Sequence, residues 1–145
     1  MTKTSITPEA RARIEQSFAK QGLMSTLGAR LGQITPGEVH VHLPMSGRVT
    51  QQHGYFHGGA TSTIADSAGG YAALTLFDPG SEVLTVEYKI NLIAPARGDE
   101  LEAVGTVLKS GRTLTICRLD VYAHANGARV LVAAGQQTLI RVDTP

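Results

Sequence analysis

The sequence predicts an α+β protein in which a curved antiparallel β-sheet wraps around one long central helix. Three observations point there. From about Gly59 to Phe77 runs a long helical stretch without Pro, built largely of Ala, Gly, Ser and Thr. Four strand-like segments follow it, and two shorter ones precede it. A sheet of that size must bury one face. The helix is the only long apolar element available to cover it, and its small side chains permit close approach.

The elements follow in order. Thr7-Pro8-Glu9 combines an N-cap, a proline at the first helical position and an acidic first turn. Ile14 and Phe18 share one face of that helix, Gln21-Gly22 is its stop, and the helix is expected to cover a sheet edge. Residues 1–24 are thus an N-terminal helical segment, and 25–145 form a single domain. Residues 26–46 read as a hairpin turning at Thr35-Pro36-Gly37-Glu38, with Val39–Leu43 alternating at period two. Residues 47–56 have no period and read as a loop. Asp78-Pro79-Gly80 ends the long helix. From Val83 to Ala94, Leu84, Val86, Tyr88, Ile90 and Leu92 fall on one face, and Pro95–Asp99 reads as a turn. Leu101, Ala103, Gly105 and Val107 lead the next strand, and Lys109–Arg112 turns it. In Thr113–Ala123 the apolar face switches between Ile116 and Leu119, the mark of a bulge or of a strand buried on both sides. Asn126-Gly127 is a type I′ hairpin signal before the last strand, Arg129–Val142. The four late strands are expected as a meander. Helix and sheet together give the hot-dog architecture, the sheet as bun and the helix as filling.

Composition excludes several classes. The chain has 145 residues and a formal net charge of +1, with 13 scattered basic residues. That is enough chain for a core, and too little clustered charge for a nucleic-acid surface. Cys117 is the only cysteine, so no internal disulfide can form, which fits a reducing compartment. The start leads into a charged helix rather than an apolar leader. The stretch 60–77 is too short and too polar to span a bilayer. A soluble cytoplasmic protein with no membrane or nucleic-acid partner is expected.

The chemistry concentrates around His57-Gly58-Gly59 and Asp66. Adjacent glycines let a backbone approach a ligand closely. A helix start offers free N–H groups and the positive end of the macrodipole, a place for an oxyanion. Asp66 puts a carboxylate two turns inside an otherwise small and apolar helix. Its cost invites a functional explanation.

The run from Gln51 through Gly59, then Asp66, then Thr85 through Ala96, resembles the hot-dog thioesterases of the phenylacetyl-CoA (PaaI) type. The resemblance covers roughly residues 25–142 in element order. It implies that Gly58 donates its N–H to a thioester carbonyl and that Asp66 acts as general base on water or as nucleophile. Thr85 would help hold that water. Gln51 falls where many relatives carry Asn beside the carbonyl, and either Gln51 or Gln52 could supply that contact. The resemblance also implies dimers, or tetramers built as dimers of dimers, with sites between subunits.

That chemistry suits the residues. Hydrolysis places negative charge on the former carbonyl oxygen, and one pre-aimed donor is worth about 3 kcal/mol in rate. Water is a poor nucleophile, so a carboxylate must take its proton or attack in its place. Gly58 and Asp66 lie eight residues apart, about 12 Å along a helix. One carboxylate and one water hardly bridge that gap. Two antiparallel copies of the helix would set Gly58 of one protomer opposite Asp66 of the other.

The remaining candidates are weaker. His57 reads as a structural residue that hydrogen-bonds the loop, although it and Gly59 border the substrate site. Tyr55, Phe56, Ile64 and Tyr71 are candidate walls for the acyl group, with Tyr71 also a candidate core residue. Lys109 and Arg112, with Arg97, could meet the phosphates of CoA. His40 and His42 share a strand face, but no third ligand stands at a sensible spacing, so they read as solvent-facing. Cys117 reads as core. No metal and no cofactor are expected. The leading function is hydrolysis of an aromatic or medium-chain acyl-CoA. The alternatives are a hot-dog hydratase or dehydratase, whose motifs this chain lacks, and an acyl-CoA-binding protein without turnover.

Overall fold

The computed structural model describes residues 5–144. Helix α1 (Pro8–Ala19) starts as the sequence predicts, with Thr7 Oγ1 accepting from the Ala10 N–H. A second helix, α2 (Gly22–Leu27), follows where only a stop was expected, and it runs across the boundary placed at residue 24. Six residues are too few to show a helical period. Gly28, in the left-handed conformation, closes it.

Strands β1 (Arg30–Thr35) and β2 (Glu38–Pro44) form the expected hairpin, trimmed at its start by α2. The central helix α3 (Gly58–Leu74) begins one residue early and stops three short of Phe77. Thr75 caps it, with its hydroxyl donating to Ala72 O and accepting from the Gly37 N–H. Strands β3 (Ser81–Leu92), β4 (Glu100–Ser110), β5 (Leu114–Ala125) and β6 (Ala128–Asp143) complete one antiparallel sheet. Both residues of the Asn126-Gly127 turn have positive φ, as a type I′ hairpin requires.

The strand order is β1-β2-β4-β5-β6-β3, which corrects the expected meander. β3 pairs with β6 rather than β4 and forms one edge. Residues 93–99 are therefore a crossover and not a turn. They pass the ends of β6 and β5, where the Ile93 N–H bonds Val132 O and the Asp99 N–H bonds His124 O. Those borrowed carbonyls satisfy the crossing backbone.

Two facial assignments also change. β5 alternates without a switch: Thr115, Cys117, Leu119, Val121 and Ala123 are buried, while Leu114 and Ile116 lie on the other face. On β3 the register shifts between Thr85 and Glu87, leaving Val86 as the extra residue of a bulge. Leu84 pairs with Ile140, whereas Tyr88, Ile90 and Leu92 pair with Gln137, Gly135 and Ala133. The bulge puts Leu84 on the opposite face from Tyr88, Ile90 and Leu92, because one inserted residue reverses the alternation.

The core lies between α3 and the sheet, with Ile64, Ala68 and Ala72 against Val39, Val41, Leu101, Ala103 and Leu119. At Gly105 a Cβ would run into the backbone of Ala68 and Gly69, so helix and sheet touch main chain to main chain. α1 adds Ile14 to the core, touches β1 through Arg11 and sets the Phe18 ring at a tilt against Tyr71. Among the described residues no helix is long and apolar enough to cross a membrane.

Candidate active site

Asp66 sits half-buried on the side of α3 that faces β3 and β6. Thr85 Oγ1 donates to Asp66 Oδ1 at 2.6 Å. Gln137 Nε2, from β6, donates to the same carboxylate oxygen, to the Asp66 carbonyl at 3.1 Å and to Thr85 Oγ1 at 3.1 Å. The carboxylate accepts only, so it holds the donor end of the Gln137 amide toward itself. Gln137 is fully buried, and its Oε1 finds no partner among the described residues. Gly69 makes room for it: a Cβ there would strike Gln137 Oε1. Asp66 is thus fixed through one oxygen and borders a cavity of about 190 Å³ with Ser17, Gln21, Tyr71 and Thr85.

The N-terminus of α3 builds a second feature. His57 is the N-cap, and its Nδ1 accepts the Gly59 N–H at 2.8 Å. That contact caps the first turn of the helix and leaves Gly59 no free N–H. Gly58 is the first helical residue, so its N–H has no acceptor within the helix. It opens onto a cavity of about 440 Å³ lined with Gln51, Tyr55, Phe56, Thr61, Leu92 and Pro95. Gln51, not the exposed Gln52, borders this cavity. Gln51 Oε1 is taken by the N–H groups of His53 and Tyr55, which leaves the NH2 end of the amide for a ligand. The Arg97 guanidinium stands 5.5 Å from the Tyr55 ring centroid.

The chain therefore brings Asp66 and Thr85 together and keeps Gly58 and Gln51 apart from them, in a different cavity. Tyr55 and Phe56 wall the Gly58 cavity. Tyr71 instead walls the Asp66 cavity, its hydroxyl bonded to Ser17 and Gln21, and Ile64 is wholly core. Lys109 and Arg112 are exposed at the β4–β5 turn and line neither cavity. Burial pushes the Cys117 thiol up to about 12, so it stays protonated and inert. Sequence reasoning missed Gln137. Its signal was a polar residue at an inward-facing register of β6, two before Leu139. Among the described residues, the cluster of metal-ligating types is His40, His42 and Glu102, on the far face of the sheet.

Comparison with known proteins agrees with this architecture. Residues 53–129 match the thioesterase superfamily. Human acyl-coenzyme A thioesterase 13 is 29% identical over 137 residues, covering 93% of this chain and 96% of that protein. The crystal structure of a thioesterase family protein from Silicibacter pomeroyi is 40% identical, with a TM-score of 0.90 over 93% of this chain and 99% of that one. The PaaI protein of E. coli, from the phenylacetic acid degradation operon, shares the fold at a TM-score of 0.81 and 19% identity, over 95% and 96% of the two chains. With a sheet wrapped around its central helix and a match over more than half its length, this chain belongs to the thioesterase superfamily and is a thioester hydrolase of the hot-dog fold.

Proposed function

We propose that the protein hydrolyses an aromatic or medium-chain acyl-CoA with water activated by Asp66, in a site completed by a second copy of the chain. One observation carries this reading: Asp66 and Gly58 border different cavities of one protomer. β3 supports the pairing. Among the described residues it is an edge strand, hydrogen-bonded on one side only, and Leu84, Val86 and Leu92 are each more than half exposed. An unpaired apolar edge is a template for another strand. A two-fold axis at that edge would run the helices antiparallel and bring Asp66 and Thr85 of one protomer to Gly58 and Gln51 of its mate.

In such a site the Gly58 N–H and the Gln51 amide polarise the thioester carbonyl. Asp66 takes a proton as water attacks the carbonyl carbon. The tetrahedral oxyanion forms against the Gly58 N–H. Its collapse expels the CoA thiolate and leaves the free acid. Tyr55, Phe56 and Leu92 supply an apolar wall for the acyl group, of a size suited to a phenylacetyl or medium-chain tail. The two-fold would also carry the Lys109–Arg112 turn of the mate toward the Gly58 cavity, beside Arg97, where CoA phosphates would lie.

Release of free thiol from a panel of acyl-CoAs, read with a thiol dye, tests this function. Asp66→Asn is expected to lower turnover by about 10²–10⁴-fold with substrate binding retained. Undiminished hydrolysis by that variant, or tight binding without wild-type turnover, refutes it.

A further inference from the structure

A second constellation of side chains stands on the outer face of the sheet, with the sheet between it and α3. On β2, Val39, Val41 and Leu43 point into the core and are fully buried, so His40 and His42 project from the opposite face. In the β2–β4 ladder His42 lies directly opposite Glu102. Glu102 Oε2 stands 3.3 Å from His40 Nδ1 and 3.9 Å from His42 Nε2. The remaining nitrogen of each ring meets its own carboxylate. His40 Nε2 is 2.9 Å from Glu38 Oε1, and His42 Nδ1 is 2.7 Å from Glu100 Oε1. Arg30 holds the other oxygen of Glu100 at 2.8 Å. Arg129 holds Glu102 Oε1 through Nε and Nη2, with His124 Nε2 3.4 Å from the same oxygen.

We infer that His40 Nδ1, His42 Nε2 and Glu102 Oε2 form a binding site for a divalent transition-metal ion of the Zn²⁺ class. The spacing fits. Zinc bonds of about 2.0–2.1 Å to nitrogen and oxygen put tetrahedral ligands about 3.4 Å apart. The ligand atoms here already lie within 4.8 Å of one another. The surroundings fit as well. A metal-bound histidine ordinarily donates its other N–H to a carboxylate, which sets the tautomer and the ring orientation. Both histidines have that partner, and each is matched to the right nitrogen: Glu38 leaves Nδ1 of His40 free, and Glu100 leaves Nε2 of His42 free. Arg129 anchors one oxygen of Glu102 and turns the other toward the rings.

Charge points the same way. Three carboxylates face two guanidinium groups, which leaves one net negative charge among these five groups to attract a cation. Imidazole and carboxylate donors together select zinc and its first-row neighbours over calcium or magnesium. The His42 ring is also wedged: a Cβ on Gly32 of β1 would collide with it, so only glycine admits the ring in this position. The three ligands are 12–18% exposed, which leaves a path from solvent and a fourth position for water. A bound ion would pin β2 to β4 from the outside. It would take no part at Asp66, on the other side of the sheet.

Tag-free protein stripped with a chelator and titrated with Zn²⁺ tests the site by calorimetry and by metal content after dialysis. One equivalent per chain and a raised Tm are expected. His42→Asn and Glu102→Gln should abolish the uptake. Glu100→Gln, which removes only the carboxylate behind His42, should weaken it about 10–100-fold. Less than one equivalent in the wild type, or uptake indifferent to these substitutions, overturns the inference. Should a variant fail to fold, Co²⁺ added to the wild type decides. Intense visible bands of a low-coordinate ion uphold the site, and the pale spectrum of the hexa-aqua ion overturns it.

Discussion

Thr85 Oγ1 donates to Asp66 Oδ1 at 2.6 Å, tying the edge strand β3 to the central helix α3. The contact depends on the bulge at Val86. Thr85 pairs with the buried Leu139 ahead of the bulge, and Tyr88 pairs with the buried Gln137 after it, so both face the helix although an odd number of positions separates them. In an unbroken strand one of the two would point away.

Removing this hydroxyl should loosen Asp66 without unfolding the chain, because Thr85 is exposed. A hydrogen bond to a charged group is worth about 1.5–3 kcal/mol. Thr85→Val is therefore expected to lower kcat about 10–100-fold with KM little changed, and Thr85→Ser to restore most of the loss. Steady-state kinetics of the two variants check this.

A site shared between protomers makes a prediction that a site within one chain does not. Gly58→Pro deletes the donor N–H at the first helical position, where the backbone accepts proline and only the tip of the exposed Leu92 side chain must move aside. The preceding His57, at φ −65° and ψ 137°, already has the extended conformation that a following proline demands. Gly58→Pro and Asp66→Asn should each be inactive alone. Refolded together in equal amounts, half the dimers are mixed and each has one intact site, so about a quarter of wild-type activity should return. No recovery in mixtures shown to contain the mixed dimer would exclude a shared site.

Gly69 is the space that Gln137 occupies. Gly69→Ala should displace the Gln137 amide and cost about 1–3 kcal/mol through overpacking. A lowered Tm is expected together with a lowered kcat. Ala68→Gly, one position away on the same helix, should lower Tm without the comparable loss of kcat.

The outer-face cluster gives the fold an acid limit. Burial pushes the Glu102 carboxyl up, but the hydrogen bonds and charges of Arg129 and His40 outweigh it and hold the group at about 2. A carboxyl held below its unfolded value stabilises the fold above that value, and the stabilisation is lost as pH falls. Chemical denaturation of the metal-free protein should show stability falling between about pH 5 and pH 2. Glu102→Gln should be less stable at neutral pH and flatter across that window.

Much of this protein was legible in its sequence. The cap at Thr7-Pro8, the start of α3 to within one residue, the Pro36-Gly37 and Asn126-Gly127 turns and the alternation of β4 all rest on the chemistry of a few adjacent residues. The spacing of Gly58 and Asp66 was legible too, since a helix converts residue count into distance. Other features exist only once distant strands pair. β3 joins β6 across some fifty residues, the bulge at Val86 turns Thr85 toward Asp66, and Gln137 arrives beneath the helix from the last strand. Glu102 meets His40 and His42 through the β2–β4 ladder, sixty residues away along the chain. Local propensity and period are written within one or two turns of backbone. Register between remote strands is decided by the whole core, because a shift of one residue would turn every buried side chain out to water.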